Sequence, residues 1–472
     1  MECNQLRPDQ PMADVYIIYA KENRDTAVKV RDLLSSSWSV WLDDLIVGDF
    51  NSVIKENIQN TKCVIALYSS FASKPAVTGE LSLAGKYDKK VIPLILDDSD
   101  PPYPYGHFSS VDFRAWQGDV DAEAVKMLQV KIGEVVKPRC PPSRLETVHN
   151  GLLPIPNVFM SVSSHETQFT PAAALSVLKA HNTKSILVSA YDLVKSKERK
   201  KMVKEIQAYR RQGGFVLIDS GHYEADRMKD KDWTPAHFKE ALLGTPHDWA
   251  FCFDKMTPNK NPDKAIEEVV RAVRRDSKHT QAPVLPIVHV SQDEPGLARL
   301  PQIVRGVSEQ LRPPVIAIAE RELGAGLALR AKTMKRVRTE LDKLPYYQPI
   351  HLLGTGNPWS IAVLVAAGAD TFDGLEWCRF SIDPRRGRLH HFQHFDFFKN
   401  AGDRTPFLDM VDANPDIEYA GQVALYNLEY YEEFGHMMRS MIATKDAELF
   451  ATGIVRMFNA QELRKLFPEI FP

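Results

Sequence analysis

Between Asn157 and Trp377 the chain repeats one pattern eight times: a short apolar run, a polar residue or glycine at or near its carboxyl end, then a helix-length stretch. The runs are Asn157–Val162, Ser185–Tyr191, Phe215–Gly221, Trp249–Asp254, Val284–Val290, Val315–Glu320, Ile350–Gly356 and Thr371–Trp377. Short runs of this kind suit strands buried on both faces of a parallel sheet. The segments between them supply the crossovers. In Asp263–Arg275, for example, Ala265, Ile266, Val269, Val270 and Val273 recur at helical spacing. Eight strands alternating with helices predict a (β/α)8 TIM barrel.

Such barrels carry their sites at the carboxyl ends of the strands. Tyr191, Asp219, Ser220, Asp254, His289, Glu320, Gly356 and Asp373 all fall there and are expected to converge in one cup. Several carboxylates in one cup suit either general acid/base and nucleophilic work or recognition of donor groups on a base. Any one of them is also a common helix cap or turn residue.

The chain is too long, at 472 residues, for one ordinary core. Lys137–Ser143, KPRCPPS, breaks helices and has little to bury, so residues 137–149 read as a linker. It separates a first domain at 12–136 from a barrel at 150–445 and a helical tail at 446–472. The first domain also alternates short apolar runs (DVYIIYA, SVWLDD, CVIALYSS, VIPLILDD) with helix-length material, which predicts a doubly wound α/β sheet. A net charge of −2 gives no global nucleic-acid signature. Basic runs at Lys195–Lys204, Arg271–Lys278, Arg330–Arg338 and Arg385–His394 suit phosphates locally, or are solvated helix faces. Five cysteines without a CxxC pair argue against a disulfide framework and a cysteine-rich metal site. With no long apolar segment and no signal-peptide pattern, a cytoplasmic protein with no membrane partner is expected.

The first domain resembles a Toll/interleukin-1 receptor (TIR) domain of flavodoxin-like fold. Asp14–Ala20 is similar to the first-strand motif, Val40–Asp44 to the second strand and Gly48-Asp49 to the loop after it. Ser69–Ser73 followed by Gly79-Glu80-Leu81 is similar to the third-strand loop and the glutamate helix, and Phe113–Trp116 to the closing strand. TIR domains either associate as scaffolds or cleave NAD at its nicotinamide glycosidic bond. The resemblance implies NAD as substrate and Glu80 as the catalytic carboxylate, since an anion stabilises the oxocarbenium character that develops on the ribose. Tyr19, Ala20, Lys21, Trp41, Asp43 and Ser70, at strand ends, are expected to border the same crevice. Trp41 either stacks on an aromatic ligand or is a half-buried core residue. Ala76 departs from the tryptophan that many members carry four residues before the glutamate.

Most of residues 150–445 resembles the tRNA-guanine transglycosylase family. Phe215–Gly221 is similar to its DSGGF motif, Ser189–Leu193 to NTYHL, Leu353–Pro358 to GVGxP and Asp370–Asp373 to DMFD. Ala250–Asp254 is similar to the strand whose aspartate binds the incoming base, and Ala424–Leu428 to the start of the IHNLY helix. The resemblance implies Asp373 as a nucleophile toward ribose C1′, Asp219 as the residue that holds and deprotonates the base, and Asp254 as a base ligand. Three departures stand out. The CxCxxC cluster is missing and Tyr426 takes the place of the zinc histidine, so no zinc is expected. Ala319-Glu320 replaces the base-reading glycine pair, His289-Val290 replaces a glutamine-glycine pair, and His222 replaces the second glycine of DSGGF.

Together these resemblances imply an NAD+-hydrolysing TIR effector of the bacterial antiphage kind. Its barrel would sense a nucleic acid, a nucleobase or a phage product, and its TIR domains would self-associate. The alternative is a base-exchanging transglycosylase with Asp373 as nucleophile and the TIR domain as an oligomerisation scaffold.

Overall fold

The computed structural model describes residues 13–35, 37–43, 50–103, 105–107, 109–118, 122–137, 143–165, 167–344, 346–444, 446–455 and 460–471. Asp44, the Gly48-Asp49 motif and most of the proline-rich segment, 138–142, lie outside them. The chain divides into two compact units, Met1–Ser143 and Arg144–Pro472.

Among the described residues the first unit holds a five-stranded parallel sheet: β1 (Val15–Ile18), β2 (Val40–Trp41), β3 (Cys63–Tyr68), β4 (Lys90–Ile95) and β5 (Val111–Asp112). Its order, β2-β1-β3-β4-β5, is that of a flavodoxin-like sheet, in which connections leave in opposite directions from β1 and β3 and open a crevice between their ends. Helices α1 (Arg24–Leu34), α2 (Phe50–Asn60), α3 (Pro75–Lys86) and α4 (Glu123–Gly133) cover the faces. The alternation of β1 sorts its side chains between two cores. Val15 and Ile17 join residues of α1 and α4, whereas Tyr16, Ile18 and Ala20 join residues of α2 and α3.

The second unit is the expected barrel. Its strands are β6 (Asn157–Val162), β7 (Ser185–Ser189), β8 (Phe215–Asp219), β9 (Trp249–Phe251), β10 (Val284–Leu285), β11 (Ile287–Val288), β12 (Ile316–Ala319), β13 (Ile350–Leu353) and β14 (Thr371–Gly374). Every ladder among them is parallel, and β14 pairs back onto β6. The run read as one strand, Val284–Val290, is two. Pro286 has no N–H to donate, so β10 pairs with β9 and β11 with β12, the break serving as the seam of the barrel.

Inside the barrel, Phe159, Leu187, Leu217, Trp249, Phe251, Leu285, Ile287 and Ala317 form a closed apolar plug. A short hairpin, Thr147–Val148 with Leu153–Pro154, adds Val148 and Leu153 to that core. Two residues on from the plug, the same inward columns carry Ser161, Ser189, Asp219 and His289, so strand alternation alone puts a polar layer at the mouth. The helices beyond residue 445 are not a separate layer. Phe450, Ala451, Ile454 and Leu463 pack into the main core between strands and helices. No helix among the described residues is long and apolar enough to cross a membrane.

Candidate functional sites

In the first unit, α3 presents Glu80 to the sheet face on which Tyr16 lies. The Tyr16 phenol donates to Glu80 Oε2 at 3.0 Å, and Trp41 stacks on the Tyr16 ring, centroids 4.7 Å apart and planes 16° apart. Burial pushes the Glu80 carboxyl up to about 7; the Tyr16 hydrogen bond opposes this and the nearby Asp43 charge adds to it. Asp43 Oδ1 is buried and has no hydrogen-bond partner among the described residues. Glu80 and Trp41 are half-buried, so an acid and an aromatic face stand side by side at this edge of the sheet.

The other residues expected at this crevice divide. Ala20 shares the core of Tyr16, and Lys21 is exposed. Tyr19 packs in the core on the opposite face of the sheet. Ser70 is exposed, and its amide donates to Asp97 Oδ2 at 2.9 Å. Tyr16 itself was not singled out by sequence; its only signal is its place in the β1 alternation on the face that α3 covers.

At the barrel mouth, Asp373 is fixed on both oxygens. Ser161 Oγ donates to Oδ2 at 2.8 Å, the Gly354 amide donates to Oδ1 at 2.8 Å, and His351 Nε2 lies 3.1 Å from Oδ1. Gly354 has φ +74°, a backbone conformation that side chains with a Cβ rarely adopt. Gly356 is required for a different reason: a Cβ there would lie 1.7 Å from Glu376 Oε2. That oxygen is buried without a hydrogen-bond partner among the described residues, and burial pushes the Glu376 carboxyl up to about 7, with the Asp373 charge contributing. Asp219 accepts from the Gly221 amide at 3.0 Å. Burial, and then the charge of Glu224, push its carboxyl up to about 8.

Asp254, for which the resemblance implies a base-binding role, is engaged within the chain. Asp254 Oδ2 lies 2.7 Å from His289 Nε2, and Glu322 Oε1 lies 2.9 Å from His289 Nδ1. All three are buried. Burial disfavours a charged imidazole, but hydrogen bonds to both carboxylates win and hold His289 up to about 10. The Val290 amide also donates to Glu322, at 3.0 Å, while His222 Nε2 lies 3.0 Å from the Asp254 carbonyl. Glu320 instead faces Arg330, at 2.9 Å. Beside this triad a cavity of about 580 Å³ runs between the segment that follows β9, strand β11 and the helix Pro262–Asp276, with Phe253, Val288 and Val269 as apolar walls and Arg271 and Arg275 among its polar ones.

A further acidic cluster was not anticipated. Ser163 and Ser189 hydroxyls donate to the two oxygens of buried Glu224, at 2.5 and 2.7 Å. Burial and the Glu224 charge push neighbouring Asp192 up to about 7. Tyr191 and Ser220 brace this side: the Tyr191 hydroxyl lies 3.3 Å from Asp230 Oδ2, and the Ser220 carbonyl accepts from Trp233 Nε1 at 3.0 Å. Where sequence put Tyr426 in place of a zinc histidine, its hydroxyl donates to Asp412 at 2.8 Å, and Lys399 and Arg404 hold the same carboxylate at 2.9 and 2.8 Å.

Much of the local basic charge is internally paired. Lys195 faces Asp230, Arg199 faces Glu240, Arg275 faces Asp276 and Arg338 faces buried Asp370. Arg271, Arg274, Arg275 and Lys278 line one surface groove of about 380 Å³.

A flavodoxin-like sheet with a glutamate beside its β1 strand, followed by a (β/α)8 barrel whose mouth gathers aspartates from separate strands, defines a TIR domain joined to a transglycosylase-like barrel. The TIR domain family matches residues 15–129, and the family described as queuine tRNA-ribosyltransferase matches residues 142–381. The chain belongs to the queuine tRNA-ribosyltransferase family, with a TIR domain ahead of the barrel. It is 23% identical over 326 residues to the tRNA-guanine(15) transglycosylase of Sulfolobus acidocaldarius. The match covers 65% of this chain and 62% of the length of that relative.

Proposed function

We propose that the protein is an NAD+ glycohydrolase whose TIR domain is controlled by the barrel, acting as an effector in bacterial antiphage defence. The observation that carries the reading is the Tyr16–Glu80 pair beside Trp41 and Asp43. Cleavage of the nicotinamide bond leaves positive charge on the ribose, and a preorganised carboxylate in a partly desolvated pocket stabilises it. Trp41, stacked on Tyr16, supplies a flat face for an aromatic ring of the dinucleotide.

In this reading the barrel is a sensor. Asp373 and Asp219 are held at the mouth, but the carboxylate expected to receive a base is occupied by His289. A ligand that enters must displace or bridge that imidazolium, so the rebuilt mouth selects a ligand different from the one its relative's name specifies. The ligand class is a nucleic acid, a nucleobase or a phage product, and TIR domains assemble when it binds.

NAD+ loss is to be measured with the full chain alone and with RNA, DNA and free nucleobases, beside Glu80→Ala. Loss confined to the protein with Glu80 intact, and raised by one of these ligands, is the expected result. NAD+ loss that persists in Glu80→Ala rules out Glu80, and loss indifferent to RNA, DNA and nucleobases rules out a nucleic-acid or nucleobase sensor.

The second reading, base exchange on RNA or DNA with the TIR domain as scaffold, draws on the three hydrogen-bonding groups that orient Asp373. It requires a covalent nucleic-acid adduct that Asp373→Ala abolishes.

A further inference from the structure

We propose that His181, Glu429 and Glu432 form a binding site for one zinc-class divalent ion on the outer helical layer of the barrel unit. His181 ends the helix Pro171–His181, and the two glutamates lie three residues apart in the helix Tyr419–Ala443. That spacing puts both carboxylates on one helix face. One donor atom from each of the three residues lies within 4.8 Å of the others. His181 Nε2 is 3.2 Å from Glu429 Oε1 and 3.8 Å from Glu432 Oε2. An ion about 2.1 Å from nitrogen and oxygen ligands holds those ligands roughly 3 to 4 Å apart, so the three donors need little movement to share one.

The outward-facing atoms of two ligands are already braced. Thr183 Oγ1 lies 3.0 Å from His181 Nδ1, and Thr405 Oγ1 donates to Glu429 Oε2 at 2.5 Å. Second hydrogen bonds of this kind orient imidazole and carboxylate ligands toward a metal. His181 is buried, and its ring meets that of Phe407 edge to face, centroids 5.3 Å apart. Glu432 is about half exposed, its side chain at 48%, which leaves the ion a water-accessible coordination position on that side. Two carboxylates outweigh the one neighbouring cation, Lys184, that opposes positive charge at His181. A plain hydrogen bond from His181 to Glu429 would give Glu432 no part; an ion requires it.

The test is a zinc titration of the chelator-stripped full chain against a chromophoric competitor, beside Glu432→Gln and His181→Gln. Glu432 is surface-exposed, so Glu432→Gln keeps the fold even if His181→Gln does not. The expected result is one more tight equivalent in the unsubstituted chain than in His181→Gln. Binding of that equivalent should weaken at least about 10-fold in Glu432→Gln, and zinc should raise the Tm of the unsubstituted chain more than that of either variant. Zinc held elsewhere stays in all three proteins, so the difference between them is the readout. Equal zinc binding and equal Tm shifts in the unsubstituted chain and Glu432→Gln would overturn the site.

Discussion

Tyr16 and Glu80, 64 residues apart in sequence, meet across the sheet face of the TIR domain with the phenol donating to the carboxylate at 3.0 Å. Burial raises the Glu80 pKa to about 7 and this hydrogen bond restrains the rise. A cleavage step that needs the carboxylate therefore gains rate as pH increases, with a midpoint near 7. Tyr16→Phe should move that midpoint upward and lower the rate near neutral pH by roughly 10-fold, the worth of one hydrogen bond to a charged group. A pH profile of NAD+ cleavage checks both. An unmoved midpoint would mean that the phenol does not tune Glu80.

Three barrel carboxyls, Asp192, Asp219 and Glu376, are raised to about 7, 8 and 7. In the window between their ordinary range and these values the folded barrel binds more protons than the unfolded chain. Their contribution is thus fully present in acid and is lost as pH rises from about 4 to 8. Asp219→Asn should reduce the loss of stability between pH 5 and pH 8, as read by urea denaturation. A pH dependence identical to that of the unsubstituted protein would contradict the assignment.

His289 has the opposite charge type and the same direction of loss. Its pKa is raised to about 10, so the triad's contribution is complete below about 6.5 and disappears as pH climbs through 10. His289→Leu strands Asp254 and Glu322 as buried, unpaired carboxylates and should cost the barrel about 3–5 kcal/mol, visible as a lower Tm of the barrel transition. A change of under about 1 kcal/mol would mean that the triad is solvated rather than buried.

The barrel was legible because its strands are apolar on both faces and end in polar residues. All eight expected runs form strands, and Phe215–Asp219 and Thr371–Gly374 deliver Asp219 and Asp373 to the mouth. Pro286 was visible too, but its consequence, two half-strands serving different neighbours, depends on which partners lie either side. Glu322, Glu224 and Glu376 were not legible, since each gains its meaning from a partner brought near by folding: His289 for Glu322, Ser163 and Ser189 for Glu224, and the glycine pair Gly356 and Gly374 for Glu376. Tyr16 was missed for the same reason. Strand alternation says which face it takes but not that a glutamate waits there.

Asp373 offers a test of what the barrel retains. With both oxygens held by Ser161, Gly354 and His351, Asp373→Asn keeps the shape and removes the charge. In the sensing account it should alter ligand-stimulated NAD+ loss while leaving unstimulated loss within about 2-fold, since an isosteric change away from Glu80 does not touch the reacting bond. A covalent RNA or DNA adduct on the unsubstituted chain, absent from Asp373→Asn by denaturing gel, would instead favour base exchange.

The most direct test of the central claim is nicotinamide release from NAD+ by the purified full chain at pH 8, alone and with RNA, DNA and nucleobases added, followed beside Glu80→Gln. Glutamine keeps the size of the side chain and a hydrogen-bond acceptor for Tyr16 but cannot carry the negative charge. Release that matches NAD+ loss mole for mole in the unsubstituted chain, and falls at least about 100-fold in Glu80→Gln, is the predicted result. Equal release from the two proteins would contradict it.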